Sequence, residues 1–317
     1  MSSNLKYVPV GQAAIGPVPV DVLCVGAASY DLIYSIPSQP GPDAKMWASA
    51  LDRCGGGPAA NGAVTVRRLG FSAAFAGYLG YDAFGDEHLG EFQQEGVNTA
   101  LVVRSSLPTS LSAILVKPDG ARTIVNYMGG ASTVPDGAID FSGIRPTVIL
   151  FDGHEPFISP PLARTAKELG IQMVLDAGHV RQGTRDLLDL VDYAVCSTPF
   201  AREYTGLEGL EQAAAALGEH APHVVVTLGD QGLVWFTRAG GHGRLPAYAV
   251  ETVDTTGAGD AFHGAFAAGV AAGWDWPTIL EYASATAALC CTRIGARHGI
   301  PTAQEVKAFL EKNHLSL

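Results

Sequence analysis

The sequence predicts an α/β fold in which a mostly parallel, doubly wound sheet is accompanied by a small antiparallel β sheet. Short apolar runs that end in Gly, Asp or Ser recur along the chain, and segments with helical periodicity alternate with them. Two further extended segments are not followed by a crossover helix. Apolar runs of this kind are typical of parallel strands that are buried on both faces and covered by helices.

The predicted strands of the large sheet share an apolar interior and a small or acidic residue at the end. They cover residues 20–29, 72–80, 147–153, 171–178, 193–197 and 223–229. In a doubly wound sheet, ligands bind beyond the carboxyl ends of the strands. The Gly and Asp residues that close these runs therefore lie where a functional site is expected.

The predicted helices lie between these strands, over residues 59–69, 84–95, 160–169, 184–190 and 210–219. Another helix, rich in Ala, is predicted over residues 261–273, and residues 249–253 are predicted to end a strand in front of it. Gly264 and Gly269 would allow this helix to pack closely on the sheet.

The small sheet is predicted from residues 31–56 and 110–127. The first segment consists of two extended stretches around a Pro-rich loop. The second is predicted to be a hairpin, because Pro118, Asp119 and Gly120 form a typical turn. We expect the two segments to form a lid on one domain over residues 20–317, preceded by an N-terminal tail over residues 1–19.

Composition and charge narrow the class of protein. A length of 317 residues with 47% apolar residues suits one large α/β domain. A net charge of −11 without a dense Lys/Arg run argues against nucleic acid as a partner. The five Cys are odd in number and form no C-x-x-C pair, which favours a reducing cytoplasm over disulfides or zinc. Neither a signal peptide nor a membrane-spanning apolar stretch is recognised.

The sequence DTTGAGD, residues 254–260, predicts an anion-binding turn. Gly257, Ala258 and Gly259 lie where a helix is expected to begin. Backbone N–H groups at such a position lack partners within the helix and attract phosphate. Asp260 would stand in the first helical turn, beside that anion site.

The alternative interpretation of this motif is a capped helix start, with Thr255 or Thr256 as the cap. The motif lacks the Lys of a Walker A sequence and the third Gly of a dinucleotide fingerprint. Both a P-loop enzyme and a dehydrogenase are therefore disfavoured.

The sequence GGGPAAN, residues 55–61, predicts a second ligand-binding turn. Its three glycines allow the backbone to approach a ligand closely. Asn61 carries both a donor and an acceptor, which suits a substrate with many hydroxyl groups. The alternative is a tight strand-to-helix turn with a capping residue. Residues 226–232 and 291–301 would by themselves be only a turn and a helix end.

In this order the motifs resemble those of the ribokinase-like (PfkB) family of carbohydrate and nucleoside kinases. The resemblance covers the chain from about residue 20 to the C-terminus. It implies a three-layer αβα ribokinase-like fold with a β lid, and a kinase that uses ATP and Mg²⁺. Within the family the chain is most similar to the sulfofructose kinase and ketohexokinase-like subgroup. That similarity implies a ketose substrate, or a ketose with an anionic end group.

The resemblance also implies roles for individual residues. Asp260 would be the catalytic base, and the backbone of Gly257, Ala258 and Gly259 would hold the charge on the phosphoryl group. The sugar would be bound by Asp31, Lys45, Gly56, Gly57, Asn61, Asn126 and His154. The nucleotide would be bound by Ser197, Thr227, Gly229, Gly232 and Thr256. Asp254 and Thr256 would bind K⁺.

Two positions depart from the family's pattern. His154 stands where the subgroup places an Arg near the anionic end of the sugar. Lys45 and Asn126 match subgroup positions that line the same end of the sugar, so the resemblance implies that they are anion-binding candidates. Residues 197–200 replace an Asn-x-x-Glu motif tied to Mg²⁺ and phosphate, and Glu203 is out of register. The protein contacts of Mg²⁺ therefore stay open.

Two other functions stay open on the sequence. A nucleoside kinase of the same family would use the same Asp260, with Trp47 or Tyr127 stacking on the base. A sugar sensor without catalysis would share the fold, but the intact Asp260 and its turn argue against it. We also expect a homodimer through the lid, because exposed edge strands favour association.

Overall fold

A computed structural model describes residues 8–9, 17–129 and 133–313. Its strands are β1 Val8–Pro9, β2 Val18–Val25, β3 Ser29–Ser35, β4 Ala50–Gly56, β5 Ala73–Gly80, β6 Asn98–Ser105, β7 Leu111–Val116, β8 Arg122–Tyr127, β9 Ile144–Phe151, β10 Gln172–Ala177, β11 Tyr193–Ser197, β12 His223–Thr227, β13 Leu233–Thr237 and β14 His242–Leu245. Its helices are α1 Pro58–Arg68, α2 Ala83–Glu95, α3 Ser159–Glu168, α4 Gln182–Leu188, α5 Thr198–Thr205, α6 Leu210–Leu217, α7 Ala258–Ala271, α8 Trp276–Cys290, α9 Ala296–Gly299 and α10 Ala303–Lys312.

The large sheet has ten strands in the order β1-β6-β5-β2-β9-β10-β11-β12-β13-β14. Every pair from β6 to β12 is parallel, and the pairs β1–β6, β12–β13 and β13–β14 are antiparallel. The sheet is therefore mostly parallel, as the alternation of apolar runs and helices predicted.

Helices cover both faces of this sheet. In β2, Val22 and Cys24 belong to the core shared with α1, α7 and α8, whereas Leu23 and Val25 belong to the core shared with α3, α4, α5 and α6. Because side chains alternate across a strand, one apolar run supplies both cores. The three-layer αβα class is confirmed.

The small sheet has the order β4-β3-β7-β8. Its outer pairs are antiparallel, but the central pair β3–β7 is parallel, in contrast to the wholly antiparallel lid that was expected. The reason lies in the connections. The strands β2 and β6 run in the same direction in the large sheet. The chain leaves both of them at their carboxyl ends, so β3 and β7, which follow them, also run in the same direction.

Several element boundaries differ from the sequence prediction. Residues 249–253 form no strand, because β14 ends at Leu245 and the N–H groups of Val253 and Asp254 donate to the carbonyl of Cys291 instead of a neighbouring strand. The helices α5, α8 and α10 were not predicted. Gly264 packs against α1 and not against the sheet, since a Cβ there would lie 2.7 Å from the carbonyl oxygen of Gly62.

The predicted tail lies mostly outside the described residues. Within it, Val8 and Pro9 pair with β6, and β2 already begins at Val18. None of the helices in the described part of the chain is both long and apolar enough to cross a bilayer.

Candidate active site

The first turn of α7 lies beyond the carboxyl ends of the central strands. Gly257 precedes the helix with a φ of 77°, a left-handed conformation that favours glycine. A Cβ on Gly259 would meet no atom within 4 Å, so the turn is open on that side. The N–H of Ala258 donates to the carbonyl of Thr255 at 3.3 Å. The turn thus keeps open space next to the N-terminus of a 14-residue helix, where an anion is stabilised.

Asp260 is held by Asn61. The Nδ2 of Asn61 donates to Oδ2 of Asp260 at 2.7 Å, and Asn61 is buried in α1. Burial raises the pKa of Asp260, while the hydrogen bond from Asn61 and the nearby His263 oppose that rise. The carboxylate is therefore oriented through one oxygen, and it can take a proton at the other.

The glycine-rich turn before α1, residues 55–57, allows Asp31 to lie near the Asp260 carboxylate. A Cβ on Gly56 would lie 2.3 Å from the carboxylate oxygens of Asp31, so this close approach requires glycine. Gly57 has a φ of 98° and lies against the carbonyl of Ala27. Asp31 is buried, which raises the pKa of its carboxyl group, and it accepts a hydrogen bond from the Ser29 hydroxyl.

Asp152, which was not predicted as a site residue, connects these parts. Its carboxylate accepts hydrogen bonds from the N–H groups of Ala27 at 2.8 Å, Ala59 at 3.1 Å and His154 at 2.9 Å. Burial alone would raise the pKa of Asp152, but His154 and the hydrogen bonds hold it below its ordinary value. The only signal in the sequence was its place at the end of a predicted strand.

His154 lies in the site beside a charged partner that the sequence analysis also missed. Its Nδ1 is 3.2 Å from Oδ1 of Asp152, and its Nε2 faces a guanidinium nitrogen of Arg181. Arg181 precedes α4 and thus reaches this place from a different element. The positive charge that His154 does not carry permanently is supplied by Arg181.

Two lid residues occupy different positions. Asn126 pairs with Ser112, which in turn pairs with Asp31, so these three residues share one face of the lid. Lys45 is exposed, and its ammonium group lies 6.0 Å from the centre of the Trp47 ring. Within the described part of the chain, Lys45 is not brought against the other predicted site residues.

A cavity of about 400 Å³ adjoins the turn before α7. Its wall includes the predicted residues Thr227, Gly229 and Gly232, together with Thr255 and Gly259. Residues 247–250, Phe262 and the α8 residues Ser284, Ala287 and Ala288 also line it. None of these residues was predicted for the site, and residues 249–253 were expected to be the end of a strand.

Two residues predicted for nucleotide binding have their hydroxyl groups engaged elsewhere. The Ser197 hydroxyl accepts from the N–H of Phe200 and donates to the carbonyl of Gly178, so Ser197 caps α5. The Thr256 hydroxyl donates to Oδ1 of Asp254 at 2.6 Å. Neither residue is among those that line the cavity.

Asp254 is buried and already has several partners. Its Oδ1 also accepts from the N–H of Thr256, and its Oδ2 accepts from the N–H of Gly295 at 2.9 Å. The guanidinium group of Arg122, on lid strand β8, lies 3.8 Å from Oδ1 and also donates to the Thr255 hydroxyl. The lid therefore contacts the loop that borders the cavity.

An oriented carboxylate, an open helix N-terminus and an adjoining cavity are compatible with phosphoryl transfer to a small molecule. Residues 20–303 match the model of the pfkB family carbohydrate kinases. The chain belongs to this family of carbohydrate kinases.

Curated relatives with different substrates are similar over most of the chain. A ribokinase of Haemophilus influenzae is 28% identical, over 90% of this chain and 97% of its own. An ATP-dependent ribose-1-phosphate kinase of Halopiger xanaduensis is 30% identical, over 92% and 99%. A fructokinase-1 of Zea mays is 29% identical, over 84% and 91%.

Solved structures share the fold along nearly the whole chain. The ribokinase of Thermotoga maritima matches with a TM-score of 0.81 at 26% identity, covering 92% of this chain and 99% of its own. The ribokinase of Arabidopsis thaliana, solved with ribose and ATP, matches with a TM-score of 0.80 at 26% identity, covering 93% and 99%.

Proposed function

We propose that this carbohydrate kinase transfers the γ-phosphoryl group of ATP to a hydroxyl group of a sugar, with Asp260 as the base. The observation that carries the proposal is the hydrogen bond between Asn61 and Asp260 beside the open turn of α7. Phosphoryl transfer depends on positioning and charge neutralisation, and this arrangement supplies both. Asp260 accepts the proton of the attacking hydroxyl, and the new O–P bond replaces the bond to the leaving ADP oxygen.

The 400 Å³ cavity is the proposed nucleotide site. ATP bound there would direct its phosphates to the turn, where the backbone N–H groups of Gly257 and Gly259 would hold the developing charge. The N–H of Ala258 would join them by exchanging the carbonyl of Thr255 for the phosphate. Thr227, Gly229 and Gly232 would contact the nucleoside part. Support comes from the related Arabidopsis ribokinase, which was solved with ATP.

The residues around the turn are compatible with Mg²⁺ that is bound mainly by ATP. Among the described residues, no group of three or more His, Cys, Asp or Glu side chains is arranged to hold a metal ion. Magnesium keeps much of its water shell and often binds proteins through substrate phosphates. Bound in this way, it would neutralise phosphate charge while Asp260 holds the proton.

The proposed sugar site consists of Asp31, Asn61, Gly56 and Gly57 near Asp260. Its far end is formed by His154, Arg181 and Asn126. Asp31 would accept hydrogen bonds from sugar hydroxyls. Asn61 would act mainly by holding Asp260, because both ends of its amide are engaged. A site built around buried polar groups rejects sugars that leave them unpaired.

We propose a ketose as the substrate, with preference for an anionic end group. Arg181 beside His154 supports a positive charge at the far end, and Asn126 on the inner face of the lid would add an amide donor. Lys45 would join them only by movement of its loop. A relative that acts on ribose 1-phosphate supports a place for an anionic sugar.

The nucleoside kinase alternative receives little support from the aromatic residues. Trp47 is 84% exposed, and Tyr127 lies on the opposite face of β8 from Asn126. Neither ring is positioned to stack on a base beside Asp31.

Three further properties belong to the proposal. Asp254 and Thr256 would bind K⁺, and equal rates in K⁺ and Na⁺ buffers would contradict this.

The lid would pair with a second copy through its exposed apolar residues, among them Leu51 and Val125, and light scattering that shows a monomer would contradict it. All five cysteines are free, which supports a cytoplasmic location.

The test of the proposed function is a coupled assay of ADP release over fructose, ribose, their phosphates, sulfofructose and nucleosides. Turnover with ketoses, and none with nucleosides, is expected. Release of ADP with none of the sugars would contradict the proposal. A preference for ribose over every ketose would correct the substrate and leave the proposed chemistry in place.

A further inference from the structure

Arg297 lies in an unusual place for a charged side chain. It belongs to the short helix α9, is only 3% exposed, and its guanidinium group lies 5.6 Å from the centre of the Phe92 ring. Burial lowers the pKa of Arg297, and the Glu91 carboxylate opposes that shift. A buried cation is stable only when its hydrogen-bond donors are paired.

Three nitrogen atoms of Arg297 have acceptors. Its Nε donates to Oδ1 of Asn61 at 3.2 Å, its Nη1 to Oε2 of Glu91 at 3.4 Å, and its Nη2 to Nε2 of His88 at 3.2 Å. Burial and the nearby Arg297 hold the pKa of His88 well below its ordinary value. His88 is therefore neutral and accepts through Nε2.

These contacts decide the orientation of the Asn61 amide. An Arg side chain has no acceptor, so the amide atom that faces Arg297 must be the oxygen. The NH₂ group of Asn61 must then face Asp260, which it contacts at 2.7 Å. The reversed amide would direct its oxygen at the Asp260 carboxylate and would lose both hydrogen bonds.

The glycine-rich turn is shaped around the same group. A Cβ on Gly55 would lie 2.5 Å from the His88 ring and 2.9 Å from Nη2 of Arg297. The N–H of Gly55 also donates to Oε2 of Glu91 at 2.8 Å. One buried guanidinium group thus connects the turn beside Asp31 with the amide beside Asp260.

We infer that Arg297 is a positioning residue for phosphoryl transfer, which fixes the amide of Asn61 and thereby holds Asp260 in its reactive orientation. The inference rests on the proposed function, since it assumes that Asp260 is the base. Arg297 itself does not reach the reacting atoms and acts through Asn61.

The first test is Arg297→Lys in the full chain, assayed with saturating ATP and the best sugar of the screen. A Lys ammonium carries its three N–H groups on one nitrogen and cannot reproduce the planar fork through which Nε, Nη1 and Nη2 reach three separate acceptors, so the Asn61 amide loses its anchor. We expect kcat to fall about 10- to 100-fold, because small misplacements of a catalytic group cost about that much. The KM for ATP should change by less than about twofold.

The pH profile separates positioning from loss of stability. Without its anchor, the Asn61 amide donates less to Asp260, so the pKa of Asp260 rises and the acid limb of kcat/KM moves upward by about one pH unit. The other titratable groups that face Asp260 are unchanged in the variant. They are His263 on α7, Asp152 and His154 after β9, Asp176 on β10, Asp31 on β3 and Cys290 on α8.

The matched control is Arg68→Lys. Arg68 donates to the backbone carbonyls of Arg297 and Ile300 and pairs with Glu95, so it supports the same region without contacting Asn61. We expect its kcat to stay within twofold of the wild type. An equal loss of kcat in both variants would overturn the inference, because the effect would then be general destabilisation.

A second variant covers the case in which Arg297→Lys does not fold. Glu91→Gln removes the charge that anchors Nη1, at a side chain that is a quarter exposed. It should lower kcat about threefold and move the acid limb in the same direction. An unchanged kcat and pH profile in this variant, or in a folded Arg297→Lys protein, overturns the inference.

The Asp260→Asn variant separates the two proposals. If it is inactive while the Arg297 and Glu91 variants behave like the wild type, only the positioning role is wrong. If Asp260→Asn keeps wild-type turnover, the proposed base is wrong and the positioning role is overturned with it.

Discussion

The two ends of the proposed sugar site are built in different ways. At one end Asp260, Asn61 and Arg297 are connected by hydrogen bonds between helices of the main body, and Asn61 and Arg297 are buried. At the other end Asn126 stands on β8, a strand whose six residues are all exposed. Packing therefore fixes the end that would perform the chemistry, whereas β8, at the end that would read the sugar, can change without disturbing the core.

The largest effect is expected at the fixed end. Asp260→Asn removes the proposed proton acceptor but keeps the size of the side chain, so kcat should fall by about 10²–10⁴-fold while the fold is retained. Steady-state kinetics at saturating ATP and sugar, with thermal unfolding as the control, make the measurement. If the Asp260→Asn variant kept turnover close to that of the wild type, the contrast between a fixed catalytic end and a variable end of the sugar site would no longer hold.

A smaller effect is expected for Gly56→Ala, which acts through Asp31. The new methyl group would occupy the place of the Asp31 carboxylate, which would be displaced from the sugar. The KM for the sugar should rise about 10- to 100-fold, since a hydrogen bond to a charged group contributes about 1.5–3 kcal/mol. Gly90→Ala is the matched control, because a Cβ at Gly90 in α2 meets no atom within 4 Å. Equal KM values in both variants would contradict this reading.

A pH effect of several-fold is expected at the reading end. Burial and the neighbouring Arg181 lower the pKa of His154, but the Asp152 carboxylate overrides both and the net shift is upward. The imidazole therefore gains its proton as pH falls from 8 to 6, and the added charge favours an anionic sugar. The ratio of kcat/KM for sulfofructose to that for fructose should rise over this range, and His154→Gln should flatten it. A ratio independent of pH in the wild type would exclude His154 from recognition.

The smallest effect is expected for Lys45→Ala. Lys45 is exposed, and exposed ion pairs contribute up to about 1 kcal/mol, so kcat/KM for an anionic sugar should fall by about fivefold at most. The value for fructose should stay the same. If the variant lowers both values equally, Lys45 does not read the anion, and the contrast between the two ends of the site would rest on Asn126, His154 and Arg181.

The sequence was informative where local physics decides the structure. Apolar runs buried on both faces identified the parallel strands, and the two glycine-rich turns identified the ends of α1 and α7 that meet at Asp260. Side chains that act over long distances left no such signal. Arg297 contacts Asn61 although 236 positions separate them in the sequence. Arg181, which follows β10, contacts His154, which follows β9. Lys45 was assigned to the sugar by the resemblance, but a matching position in the sequence does not reveal the path of a loop.

The parallel pair at the centre of the lid has a consequence for the order of folding. Tyr30 pairs with Leu111, and the chain between them builds β4, α1, β5, α2 and β6. Closing so long a loop has an entropic cost that must be met before the pair forms. The lid is therefore expected to assemble only after this half of the large sheet has formed. A partly folded protein would then have its core but would not yet recognise its sugar.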